Sequence, residues 1–108
     1  MPDFYDALET RDPALREEQQ FDELKKQLYN ARDHAPAYTS ILVEVDLTTV
    51  NDRTALSAIP LTRKSDIAKR QSELPPLGGY AAASIDSFYN VFASPGGIFE
   101  PGAARDDF

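Results

Sequence analysis

The chain has 108 residues and a mass of 12.0 kDa, which fits a single domain. Its 18 acidic and 11 basic residues give a net charge of −7, which argues against binding nucleic acid or an anionic membrane through bulk charge. Without cysteine it has no disulfides, thiolate zinc sites or cysteine nucleophiles. No apolar run approaches the ~20 residues that cross a bilayer, and the N-terminus lacks the basic and apolar regions of a secretory signal. We therefore expect a cytoplasmic protein.

The first predicted element is a long helix over residues 15–35. Asp12 precedes Pro13, and this pair is typical of a helix start because the carboxylate can accept from free amides of the first turn. Pro36 predicts its end, since proline disfavours a helical residue before it, and a short helix over 36–43 follows. Apolar residues recur at spacings of three and four along the long helix and form one face: Phe21, Leu24, Leu28, Ala31 and Ala35.

Two further short helices are predicted before the glycine-containing part of the chain. Asn51 is a suitable N-cap for a helix over 52–58, and Thr62 for a helix over 63–72. Ile67 is the one strong apolar anchor of the second of these helices. The chain is therefore predicted to be helical nearly up to residue 74.

The last third of the chain changes in composition and predicts strands. All glycines lie at or after Gly78, and residues 75–86 begin with a proline- and glycine-rich connector that neither a helix nor a strand ladder tolerates. Residues 87–93 are rich in aromatic and β-branched types and predict a strand. A turn at 94–97 and a returning strand at 98–100 complete a hairpin. The predicted fold class is mainly α with a short C-terminal β-hairpin.

Three units follow from this division: a helical microdomain at 1–74, the connector at 75–86, and a strand-turn-strand unit at 87–108. Six large apolar residues crowd into residues 88–99, and an isolated hairpin is marginal in water. We therefore expect residues 87–100 to pack on a second copy of the chain or on further protein that continues it.

The sequence indicates neither a catalytic residue nor a metal site. His34 is the only histidine, and Asp33 beside it is the only nearby carboxylate. A histidine at a helix end is favoured by the helix dipole, and this structural interpretation is the simplest. The acidic residues between 17 and 23 are interpreted in the same way, as a solvated helix face.

The segment at 93–101, ASPGGIFEP, is the one with a possible ligand chemistry. A strand that runs into a turn containing Ser94, Gly96 and Gly97 can present a hydroxyl and backbone amides to a phosphate. An ordinary hairpin turn is the simpler interpretation of the residue types, because the turn has no lysine and Glu100 would repel a phosphate.

Four stretches of the chain stand in a recognisable order: HAPAY at 34–38, LSAIPLTRKSDI at 56–67, PPLGG at 75–79 and FASPGGIFEP at 92–101. Taken together, they resemble the N-terminal part of phenylacetate–CoA ligases, which belong to the adenylate-forming acyl-CoA synthetase superfamily. The resemblance covers nearly the whole chain in order and spacing. It implies that the chain is an N-terminal microdomain leading into the start of an α/β nucleotide-binding domain.

The resemblance implies a function for the intact protein: ATP-dependent activation of a carboxylic acid to an acyl adenylate, followed by thioester formation with coenzyme A. Such enzymes use ATP, magnesium and coenzyme A, and their adenine, acyl and magnesium sites come later in the chain. The 108 residues alone are therefore expected to be inactive and to bind no cofactor. The alternative is a non-enzymatic helical module for interaction or oligomerisation.

The resemblance also identifies a degenerate phosphate loop. The family's loop reads Ser-Ser-Gly-Thr-Thr-Gly-Lys-Pro, and Ser94, Gly96 and Pro101 match it. Gly97 stands where the first threonine would be, and Glu100 stands where the lysine would be. The exchange of a cation for an anion argues against ATP binding in the family's usual mode.

Overall fold

A computed structural model describes residues 3–102, so residues 103–108 of the predicted C-terminal unit and residues 1–2 lie outside the described part. The fold is mainly helical and ends in a two-stranded antiparallel hairpin, as the sequence predicts. The helices are α1 at Pro13–His34, α2 at Pro36–Ile41, α3 at Arg53–Ser57 and α4 at Lys64–Glu73. The strands are β1 at Asn90–Ala93 and β2 at Phe99–Gly102, and 3₁₀ turns occur at Ala7–Thr10, Leu47–Thr49 and Ile85–Ser87.

Helix α1 begins at the predicted pair of Asp12 and Pro13 and ends at His34, one residue before the predicted end. The Asp12 carboxylate accepts hydrogen bonds from the amides of Ala14 and Leu15, at 3.1 and 3.3 Å. Pro13 is the first helical residue, where its missing N–H costs nothing. The helix stops at His34, and Pro36 then starts α2 after a single extended residue.

The core is small and lies where α1 meets α2 and the segment that follows α2. Phe21, which is 8% exposed, is the buried member of the predicted α1 stripe, while Leu24, Leu28 and Ala31 are half-buried. The other buried apolar side chains come from the end of α1, from α2 and the segment after it, and from the connector: Ala35, Ala37, Leu42, Leu47, Val50 and Leu77. Most of the helical surface outside this region faces solvent.

Two predicted helix caps are wrong by one residue. Asp52 caps α3, with its carboxylate accepting from the third amide of the helix at 2.8 Å. Asn51 instead accepts a hydrogen bond from the Lys25 ammonium at 2.5 Å, which ties it to α1. Helix α4 has Arg63 rather than Thr62 at its N-cap, and no side chain bonds its first amides.

The glycine-rich part of the connector packs between α2 and α4. The Gly79 carbonyl accepts from the Ala37 amide at 2.9 Å, and the Gly78 carbonyl accepts from Arg70 Nε at 3.0 Å. Gly78 has a φ of 64°, and a Cβ there would meet the backbone of α4 at 2.8 Å. Glycine is therefore required at this position, both for its conformation and for the close approach to the helix.

Strand β1 is shorter than predicted, and strand β2 begins one residue later and ends two residues later than predicted. Strand β1 begins at Asn90 rather than at residue 87, because Ser84 caps a 3₁₀ turn through the residues before it. Strand β2 runs from 99 to 102 rather than from 98 to 100. In the register, Phe92 lies opposite Glu100 and Ala93 opposite Phe99.

The chain leaves much more surface uncovered than a compact domain does. Its radius of gyration is 16.4 Å, whereas about 13 Å is expected for a compact domain of this length. Its accessible surface is 8115 Å², whereas roughly 6,000 Å² is expected for this mass. The excess includes the hairpin, whose strands are exposed at six of their eight positions.

We predict that Phe21→Ala lowers the free energy of unfolding by about 3 kcal/mol, because it removes the most deeply buried side chain of α1. Leu61→Ala is the matched control: Leu61 is 84% exposed, so a change within about 0.5 kcal/mol is expected. Denaturant unfolding of both variants checks this. Equal midpoints for the two variants would show that the α1 face contributes nothing to stability.

Candidate functional site: the turn between the strands

Three of the four predicted loop residues lie together in the turn that joins the strands. Ser94, Gly96 and Gly97 fall between β1 and β2. Pro101 lies in β2, directly opposite Val91 of β1. The structure thus places Pro101 in the hairpin ladder, apart from the other three residues.

The turn is closed by hydrogen bonds within itself. The Ser94 amide donates to the Ile98 carbonyl at 2.8 Å, and the Ser94 carbonyl accepts from the Gly97 amide at 3.0 Å. The Ser94 hydroxyl accepts from the Ile98 amide at 3.2 Å. Gly97 supplies the positive φ, 80°, that the turn requires. The Gly97 amide, which a phosphate would use, is therefore already engaged, whereas the Ser94 hydroxyl accepts a hydrogen bond in the turn and keeps its own hydrogen to donate.

A lysine from α4 lies against this turn. A Cβ added at Gly96 would overlap the ammonium and the Cε carbon of Lys64, so the end of that side chain lies directly against the turn. Lys64 forms no ion pair with any residue between 3 and 102. The turn, which has no lysine of its own, thus has an unpaired ammonium beside its backbone.

Helix α4 also holds the start of β2 through Gln71. The Gln71 Nε2 donates to the Phe99 carbonyl at 2.8 Å, and its Oε1 accepts from the Phe99 amide at 2.9 Å. Gln71 is only 6% exposed and is the one buried polar side chain among the described residues. Both of its polar atoms are satisfied, as burial requires.

These two hydrogen bonds follow from the register of the hairpin. Because the Ser94 amide bonds the Ile98 carbonyl, the pair Ala93 and Phe99 does not exchange hydrogen bonds. The amide and carbonyl of Phe99 therefore point away from β1. The side-chain amide of Gln71 meets both groups, as the backbone of a neighbouring strand would.

Neither Gln71 nor Lys64 is identified as important by the sequence analysis. The residue predicted to anchor α4 is Ile67, and its side chain is half-buried in the structure. Gln71 comes four residues later, on the same helix face. A glutamine on an apolar face indicates a specific hydrogen-bond partner, but only the tertiary structure shows that this partner is Phe99.

The other candidate groups form no site within the described residues. His34 is exposed at the end of α1, and no cluster of three or more histidine or acidic side chains suited to a metal occurs between residues 3 and 102. Acidic residues of the α1 face make exposed ion pairs, Glu17 with Arg53 at 2.7 Å and Glu23 with Lys26 at 2.9 Å. The Glu23 hydrogen bond raises the pKa of Lys26.

A separate open cleft of about 220 Å³ lies between α1 and α3. Three of its six lining side chains are apolar, and the ion pair between Glu17 and Arg53 also belongs to its lining. The cleft contains none of the residues that the sequence analysis assigns to the candidate loop. Its lining residues are Glu17, Gln20, Phe21, Leu24, Arg53 and Leu56.

Comparison of the chain with protein-family models, with curated proteins and with solved structures finds no match. Within residues 3–102, no helix combines the length and the apolar character needed to span a membrane. A function for this chain therefore has to be inferred from the geometry of the turn and its surroundings and from the resemblance of its sequence to phenylacetate–CoA ligases.

We predict that Gln71→Leu lowers the free energy of unfolding by about 1–3 kcal/mol, since it leaves the amide and carbonyl of Phe99 without their partners. Gln71→Glu keeps the shape and tests the hydrogen bonds separately. A carboxylate can accept a hydrogen bond from the Phe99 amide, but it has no hydrogen to donate to the Phe99 carbonyl, and the two oxygens repel each other. A protonated carboxyl group can accept from the amide and donate to the carbonyl.

Burial and the Phe99 carbonyl should raise the pKa of the introduced carboxyl above its ordinary value of about 4.3. The stability deficit of Gln71→Glu should therefore be full above that raised pKa and should shrink as the pH falls through it towards 4.3. Urea unfolding of wild type and variant at matched pH values measures this difference. A deficit that does not change with pH would show that the side chain does not engage both groups.

Proposed function

We propose that this chain is the N-terminal part of a phenylacetate–CoA ligase-like, AMP-forming acyl-CoA ligase of the cytoplasm. The intact protein would activate a carboxylic acid with ATP, in the presence of magnesium, and transfer the acyl group to coenzyme A. In this proposal the helices over residues 1–74 are a scaffold, and the hairpin begins the nucleotide-binding domain. The four stretches of sequence resemblance are its basis.

The observation that carries the proposal is the uncovered hairpin. Tyr89 is 77% exposed, and Val91, Phe92 and Phe99 are each more than 40% exposed. Two strands rarely form a stable sheet by themselves, and three or more strands or a packed helix are needed. Exposed strands of this kind are expected where further strands and helices of a larger α/β domain cover them.

The position of Lys64 supports a phosphate-binding role for the turn in the intact protein. The family's loop has a lysine where this chain has Glu100, and the Lys64 ammonium beside Gly96 supplies a positive charge from α4 instead. Ammonium groups next to backbone amides are a common way to hold phosphate oxygens. We infer that Lys64 takes over the charge that the loop lysine provides in the family.

The closed turn explains why the 108 residues alone are expected to be inactive. Phosphate binding by the Gly97 amide would have to replace the hydrogen bond that this amide donates to the Ser94 carbonyl. The residues for adenine, magnesium and the acyl group are expected elsewhere in such an enzyme. No catalytic residue is assigned within this chain.

A second candidate function is a non-enzymatic helical interaction module. The hydrogen bonds within the turn favour it, because the amides of Ser94, Gly97 and Ile98 are already bonded without a phosphate. The uncovered apolar surface of the hairpin suits a protein partner equally well.

We predict that the purified 108-residue chain releases no pyrophosphate from ATP, with or without phenylacetate and related carboxylic acids. The reason is that the turn is closed and offers no site for adenine, metal or acyl group among the residues described. A coupled pyrophosphate assay measures this. Carboxylate-dependent release that Ser94→Ala abolishes would contradict the prediction.

The size of the native polypeptide separates the two functions. An antibody against this chain should detect a protein of several hundred residues with carboxylate- and coenzyme A-dependent ATP turnover. In that protein, Lys64→Ala should raise the KM for ATP, whereas Lys69→Ala, an exposed lysine on the same helix, should not. A native polypeptide of 12.0 kDa that forms no thioester would instead establish the interaction module.

A further inference from the structure

The two outer edges of the hairpin differ, and the edge of β2 is closed. The outward amide and carbonyl of Phe99 are both bound to Gln71. Two residues further along the same edge is Pro101, which has no amide hydrogen to offer. Glu100 adds a charge between them. Charge, proline and a covering side chain are the usual devices that prevent pairing at a strand edge.

The edge of β1 has none of these devices. In an antiparallel ladder, pairs that exchange hydrogen bonds alternate with pairs that do not. Ala93 and Phe99 form a pair without hydrogen bonds, and so do Val91 and Pro101. The amide and carbonyl groups of Val91 and Ala93 therefore point away from β2. No described residue hydrogen-bonds these four outward groups. The strand, Asn-Val-Phe-Ala, has no charge and no proline. It therefore presents an open, uncharged pairing edge to solvent.

We propose that this edge binds a second copy of the chain, with β1 pairing antiparallel to β1 across a two-fold axis. In the register that places Phe92 opposite Phe92 of the second copy, all four outward backbone groups of each β1 form hydrogen bonds. The Val91 amide and carbonyl then bond Ala93 of the second copy, and the reciprocal pair forms in the same way. The result is a four-stranded sheet in the order β2, β1, β1, β2.

The edge is complementary to itself, which favours a second copy as the occupant, and charge does not oppose the pairing. Residues 1–54 hold 12 of the 18 acidic side chains, whereas β1 has no charged residue. Pairing β1 with itself therefore brings no like charges directly opposite each other, which would be destabilising. Two-fold pairing also requires only one self-complementary edge.

Apolar surface lies next to the β1 edge. Tyr89 is 77% exposed, and Val91 and Phe92 are each more than 40% exposed, so a dimer through this edge brings uncovered apolar side chains of the two copies together. The inference concerns the hairpin alone and does not rest on the proposed ligase function.

Sedimentation of the full 108-residue chain over a range of concentrations tests the pairing. We expect a dimer of twice 12.0 kDa that dissociates on dilution. Val91→Pro should weaken it by about tenfold or more, because each copy loses an intermolecular hydrogen bond. The same substitution spares the hairpin ladder, since Val91 lies at a position without hydrogen bonds to Pro101. Val91→Thr, which keeps the amide hydrogen, should dimerise like the wild type.

Crosslinking tests the register independently, including the case in which Val91→Pro unfolds the hairpin. The chain has no cysteine, so Phe92→Cys can form a disulfide only between copies. Facing positions of a pair without hydrogen bonds are about 4.5 Å apart at Cα, which a disulfide can bridge. We expect rapid covalent dimer formation under mild oxidation, and little for Thr54→Cys, an exposed position on α3.

Three results would overturn the proposal. The first is a monomer at every concentration. The second is a dimer that a folded Val91→Pro variant leaves unchanged. The third is Phe92→Cys crosslinking no faster than Thr54→Cys, since that would place the contact elsewhere on the chain.

Discussion

Two hydrogen bonds between the Gln71 side chain and the Phe99 backbone attach the hairpin to the helical part of this protein. Gln71 lies seven residues after Lys64, so about two helical turns place both side chains on one face of α4. One contact fixes the start of β2, and the other places an ammonium beside Gly96. The position of the candidate phosphate turn therefore depends on this helix face.

The same contact makes the two edges of the hairpin unequal. By acting as a substitute strand, Gln71 satisfies the outward groups of β2 and leaves those of β1 as the open edge. Apolar burial contributes little at this end of the molecule, because the core is concentrated around α2 and the residues that follow it. The hairpin thus depends on polar contacts with α4 and presents apolar side chains to solvent. The larger domain that we propose would cover these side chains, and the second copy that we propose would pair with the open edge of β1.

The sequence predicts the features that depend on neighbouring residues. The start of α1 at Asp12 and Pro13 and its end before Pro36 are local effects of capping and of proline geometry. The restriction of strands to the part after Gly79 follows from composition. The sequence predicts the wrong N-cap for α3, because the side chains of Asn51 and Asp52 can both accept from the first amides of a helix. In the structure the Asn51 side chain accepts from Lys25 instead, and Asp52 caps the helix.

The contacts that define the candidate site join distant parts of the chain, and so the sequence alone does not predict them. The partners Gln71 and Phe99 are 28 residues apart, and no spacing rule relates them. Nuclear magnetic resonance of the full chain tests their contact most directly. We predict a slowly exchanging Gln71 side-chain amide proton with nuclear Overhauser contacts to the start of β2. A Gln71 side-chain amide that exchanges at the rate of free glutamine and shows no such contacts would contradict the account.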